Sequence, residues 1–189
     1  MAVLCEALSV VVRRDAIEDR FVGGWSEFVQ RVPNGTLCYE DELARVGFMN
    51  PDDVGDFLLA LAESGLNVMT KSQFVDAAVV DQVNGPTLQT DWLEFGRLPC
   101  DDSGNRVSAC WLYEELRVAA GLHFKGREIA LAMPVGWRFD DSISKQFVFV
   151  KTEDKGERLK FLRRDDGADF FLDTESGKEV SLPRTSGLK

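Results

Sequence analysis

Catalysis and ligand binding need particular side chains, and this chain of 189 residues carries few of the usual ones. Its one histidine is His123, so two histidines of one chain cannot share a metal. A Ser–His or Cys–His nucleophile would have to use that same residue. His123 lies between Gly121 and Gly126, which reads as a turn between strands, and there is no G-x-S-x-G elbow. The four cysteines, Cys5, Cys38, Cys100 and Cys110, include no C-x-x-C pair. They are too sparse for a disulfide scaffold and too loosely spaced for a zinc knuckle, and read as buried, reduced thiols of a cytoplasmic protein. Neither a G-x-G-x-x-G nor a G-x-x-x-x-G-K-[ST] phosphate loop occurs, and Ser176 to Glu179 reads as a hairpin turn. No metal and no cofactor is expected.

Carboxylates are the abundant chemical groups. In a strand over Trp92–Leu98, Trp92, Glu94 and Gly96 share one face. Such a face, with Trp111 nearby, would line a pocket in which an indole supplies area and Glu94 orients a ligand or moves a proton. The simpler reading is a tryptophan at the core edge beside a solvated glutamate.

The net charge is −10, from 22 basic and 32 acidic residues. That excludes a general nucleic-acid binder, which needs a basic footprint, and an anionic membrane surface as main partner. The charge is uneven: residues 1–85 hold 6 Lys/Arg against 14 Asp/Glu, net −8, and residues 86–189 hold 16 against 18, net −2. The densest acids are Glu40, Asp41, Glu42, Asp52, Asp53, Asp56 and Glu63, opposed only by Arg45. On a helix, Asp52, Asp56, Leu59 and Glu63 form one stripe opposite Val54, Phe57, Leu58 and Leu61. This stripe, with Glu40, Asp41 and Glu42, is a candidate surface for a basic protein partner, charges steering and the leucine anchoring, as in an inhibitor or immunity-type protein. A solvated face is the plain alternative. A divalent-cation site lacks an oxygen-rich loop.

These groups must be positioned by the elements around them. Leu8–Val12 reads as a strand. Asp15 and Glu18 suggest a capping box, and Ile17, Phe21, Trp25, Phe28, Val29 and Val32 keep one helical phase across Gly23 and Gly24, predicting a single helix over 16–32. Pro33, Asn34 and Gly35 end it. Thr36–Tyr39 and Leu43–Phe48 read as a hairpin around the acids at 40–42. Asn50 as N-cap and Pro51 at the first position start a helix that Ser64 and Gly65 stop. Phe74–Asp81 reads as a strand, followed by a turn at 84–86. The order βαββαβ suggests an α+β, ferredoxin-like first half with an antiparallel sheet.

The rest reads as β-rich: Trp92–Leu98, Val107–Val118 and Arg127–Ala132, then Gln146–Lys151, Arg158–Arg163, Ala168–Leu172 and Glu179–Leu182 as an antiparallel β-meander. The expected division is an acidic unit at 1–85 and a β-rich unit at 86–189, or one continuous domain. Exposed hairpin edges would also permit a homodimer. The apolar start, residues 1–12, is interrupted by Glu6 and followed rather than preceded by its basic residues, so it does not read as a leader. No stretch reaches the ~20 apolar residues of a membrane span.

Overall fold

The computed structural model describes residues 1–100, 104–113, 130–146, 159–165, 168–174, 177 and 179–183. They form a mixed α+β structure. The chain begins with two short strands where one was expected: β1 (Ala2–Cys5) and β2 (Leu8–Arg13). Between them Glu6 and Ala7 make a corner, with Ala7 at a φ of 47°, left-handed for a residue with a Cβ. The corner sends β1 and β2 into different sheets.

Strands β3 (Cys38–Tyr39), β4 (Leu43–Phe48), β5 (Ala77–Asp81) and β6 (Gly85–Pro86) join β2 in a sheet ordered β3-β4-β2-β5-β6, antiparallel throughout. Val10 stands opposite Val46 on one side and Val79 on the other. Every residue of β4 and β5 is buried, so these strands read as apolar runs rather than alternations.

The predicted helix over 16–32 is two helices, α1 (Arg14–Arg20) and α2 (Gly24–Arg31). Gly23 and Gly24 have φ of 86° and 62°, which no continuous helix permits. The apolar phase survives the break because both pieces face one core: Phe28 meets Phe21 edge-on at 5.7 Å between ring centres and Trp25 stacked at 5.4 Å. The capping box does not form. Asp15 accepts from the Ala16 amide in the first turn at 2.6 Å and also takes the Arg13 guanidinium, but Glu18 does not reach back and pairs with Arg14 one turn earlier. A Cβ added at Gly23 would stand 2.5 Å from Cβ of Glu27. Gly23→Ala is therefore expected to lower the unfolding free energy by about 1–3 kcal/mol, the cost of a strained backbone position. At Gly24 nothing would lie within 4 Å of the new Cβ. Denaturant titration of both alanine variants checks this, and a larger loss at Gly24 would contradict it.

Helix α3 (Pro51–Glu63) follows its sequence signals. The Asn50 side chain accepts from the Asp52 amide at 3.0 Å, Pro51 opens the first turn, and Val54, Phe57, Leu58 and Leu61 are buried. It packs on β2 and β4.

The second sheet is four-stranded, in the order β7-β8-β1-β9, with β7 (Leu93–Pro99), β8 (Arg106–Leu112) and β9 (Leu131–Ala132). Two features depart from expectation. β1, from the start of the chain, lies between β8 and β9, and it pairs with β9 in parallel. The expected strand at 146–151 opens on a helical residue, because α4 spans Ile143–Gln146 after a 3-10 turn at Phe139–Asp141; residues 147–151 lie outside the described ones. Three further strands, β10 (Leu159–Asp165), β11 (Ala168–Asp173) and β12 (Glu179–Pro183), pair in sequence, each antiparallel to the next.

One hydrophobic cluster joins Val3, Cys5 and Cys110 with Val11, Phe28, Phe57 and Leu93. Among the described residues no helix is long and apolar enough to cross a membrane.

Candidate functional site

The acidic residues do not all reach the surface. Glu40 is buried at 6% exposure, one carboxylate oxygen 4.0 Å from the N-terminal amine and the other without a hydrogen-bond partner. The hairpin turns it inward, as its backbone N–H bonds to Leu43 across the loop. A buried carboxylate cannot steer a distant partner, so Glu40 falls outside the surface. Asp41 is exposed and Glu42 half-buried. Asp52, Asp56 and Glu63 are exposed along α3, and Leu59 between them is 60% exposed.

Beside this stripe runs a groove of about 470 Å³ between α3 and the end of α2. Phe48 and Phe57 form its apolar floor, and Asp53, Asp56 and Arg31 stand around it. The Arg31 guanidinium is engaged, with Nε on Glu27 at 2.8 Å and Nη1 on the Ser64 hydroxyl at 2.9 Å. No described Lys or Arg forms an ion pair with Asp53 or Asp56. Asp53 falls beside the stripe in helical angle, one turn before Phe57, which is how α3 joins acid to apolar floor.

The second candidate region lies on the β7–β8 pair. Glu94 and Trp111 are directly opposed on β7 and β8, and the Trp111 indole N–H donates to the Glu94 carboxylate. A Cβ added at Gly96 would stand 2.8 Å from the Trp111 ring, so the indole covers the glycine. Trp92 precedes the strand, buried in the core with its indole nitrogen unpartnered. His123 lies outside the described residues.

A third region was not anticipated. A cleft of about 520 Å³ opens at the Glu6–Ala7 corner. Arg45 and Glu6 line it, together with Asn34, Thr36, Asp53 and Trp137. The Glu6 carboxylate accepts from the Trp137 indole at 3.0 Å, the Ser144 amide at 2.9 Å and the Ser144 hydroxyl at 2.6 Å. Arg45 is 2% exposed. Its Nε donates to the Ser9 hydroxyl at 2.9 Å, Nη2 to the Glu6 carbonyl at 3.0 Å and Nη1 to the Thr36 carbonyl at 3.4 Å. One signal for it is in the sequence: a single arginine inside the apolar strand 43–48, with a glycine two residues on, on the same face. Glu6 and Trp137 are too far apart in the chain for spacing to reveal them.

Beneath Arg45 lie three buried thiols. Burial opposes ionisation of Cys5, but the hydrogen bond with Cys110 and the Arg45 charge outweigh it and hold Cys5 below the usual thiol value. Burial and the neighbouring Cys5 push the Cys110 thiol well above it. Burial pushes Cys38 up to about 11. None of the four cysteines is in a disulfide, and Cys100 is half-exposed rather than buried. Among the described residues no group of three or more His, Cys, Asp and Glu could hold a metal.

No family model matches this chain. No curated protein and no solved structure matches it either.

Proposed function

We propose that this protein is a small binding or accessory module, of the inhibitor or immunity type, that recognises a basic protein partner through α3. One observation carries the reading: Asp53 and Asp56, without an ion pair among the described residues, stand at the mouth of a groove floored by Phe48 and Phe57. A lysine or arginine from a partner would lay its aliphatic stem on the rings and its charge against the two carboxylates. Exposed Leu59 supplies an apolar contact beside the groove, and Asp41, Asp52 and Glu63 extend the negative field that speeds encounter.

The βαββαβ elements carrying this face are read as a ferredoxin-like unit, supported by the order β3-β4-β2-β5 with each neighbour antiparallel. The reading of 86–189 as a β-rich half ending in a meander is supported by β10, β11 and β12 pairing in sequence.

The double variant Asp52→Lys with Asp56→Lys tests the proposal. Lysines in the first turns of α3 cost about 1 kcal/mol each against the helix dipole, which leaves the fold in place. Association with a basic partner isolated by cross-linking to the tagged chain is expected to slow roughly ten-fold or more at low salt. Stopped-flow measurement giving an unchanged rate would remove α3 from the interface.

A further inference from the structure

The cleft at the Glu6–Ala7 corner holds an arginine that forms no ion pair among the described residues. Arg45 is almost fully buried, and the acceptors of its hydrogen bonds are a hydroxyl and two backbone carbonyls, all neutral. No described carboxylate lies within ion-pair distance of it. A buried, unpaired guanidinium is costly, and one that lines a cleft can be paired by whatever enters. Glu6 lines the same cleft, but its carboxylate is turned to Trp137 and Ser144 and only its backbone carbonyl meets Arg45. Gly47 also lines the cleft, and a Cβ there would stand 2.7–2.9 Å from the guanidinium atoms. Glycine at this position is what lets β4 pass this close to the guanidinium. The left-handed Ala7 adds a strained backbone position at the same corner, of the kind that clusters at ligand sites.

We infer that this cleft binds a small monocarboxylate with an apolar body, its carboxylate on Arg45 and its body against Trp137, Phe48 and Ile143. The planar fork of arginine matches a carboxylate. Arg45 is the only cation among the described lining residues, whereas Glu6 and Asp53 are both acids, so a dianionic phosphate would meet repulsion without a second basic group. A volume of about 520 Å³ is ample for an aromatic or branched short-chain acid. The cleft adjoins the α3 groove assigned to a basic partner, and Asn34, Phe48 and Asp53 line both.

The probes are 3-phenylpropanoate, its neutral amide and inorganic phosphate, titrated by calorimetry and by amide and indole NMR shifts. The acid is expected to bind saturably and at least ten-fold more tightly than the amide or phosphate, shifting the Gly47 amide and Trp137 indole N–H. Arg45→Met is expected to bring the acid down to the amide's affinity. Should Arg45→Met fail to fold by circular dichroism, Gly47→Ala moves the guanidinium while keeping its charge and is expected to weaken the acid ten-fold. Equal binding of acid and amide, tighter binding of phosphate, no saturation by the acid up to about 10 mM, or full affinity in a folded Arg45→Met or Gly47→Ala variant overturns the inference.

Discussion

Phe28→Ala is expected to destabilise the protein by about 3–5 kcal/mol, the range for truncating a buried phenylalanine. Phe28 is fully buried and touches three elements through its ring: Phe21 at the end of α1, Trp25 in α2 and Phe57 in α3, the last at 6.5 Å between centres. Two short helices broken at Gly23 cannot persist alone, since helices well under a dozen residues are marginal in water. Phe28 is the residue that makes them one packed unit. Its loss also withdraws support from Phe57, which floors the groove beside α3. Denaturant unfolding measures the stability change, and a loss below about 1 kcal/mol would show that the surrounding rings collapse into the space.

The second large effect is expected from Glu6→Ala, at about 3 kcal/mol. The carboxylate is the common acceptor of three donors from residues 137 and 144. Ser144 is 2% exposed, so deleting Glu6 strands a buried amide and a buried hydroxyl, each costing about 1–3 kcal/mol when unsatisfied. The contact is long-range, joining the β1–β2 corner to the segment around α4. The loss should therefore be concentrated: amides from 137 to 145 exchange faster with solvent while those of β2 and β4 keep their relative protection. Glu6→Gln preserves an acceptor and is expected to cost less than the alanine. Uniform acceleration of exchange across both sheets would contradict a local tie.

The elements that the sequence displayed well are those whose signals are local. α3 has an N-cap, a proline at its start, an apolar face of period 3.6 and a glycine after its end, and its bounds follow. The β3–β4 hairpin and strands β7, β10, β11 and β12 follow from apolar runs between turn residues. The failures share another cause. The apolar phase over 17–32 carries across Gly23 and Gly24 because both helices face the same core, so phase alone does not distinguish one bent segment from one continuous helix. β1 is short and ends at Cys5, just before Glu6, a residue that interrupts an apolar reading but serves as a buried acceptor for donors from 137 and 144. Its parallel partner β9 is likewise only two residues long.

The candidate sites divide the same way. Exposure of Asp52, Asp56, Leu59 and Glu63 follows from helical angle alone. The inward turn of Glu40 depends on a hairpin loop and the N-terminal amine, which no periodicity reports. Glu94 and Trp111 were placed in one region, but their direct pairing depends on the register of β7 against β8. The Arg45 cleft gathers residues 6–7, 34–36, 45, 47–49, 53, 134–137 and 143, a juxtaposition that only the fold creates.

The central claim is that the unpaired acids beside the α3 groove receive a basic partner. Its most direct test is the association rate of that partner with the native chain and with the Asp52→Lys, Asp56→Lys variant, each at about 10 mM and 150 mM salt, where the screening length falls from about 30 Å to 8 Å. The native rate should fall steeply with salt, while the variant should be slow at both concentrations and nearly flat between them. Native and variant rates that coincide at low salt, or that fall in parallel, would contradict the claim.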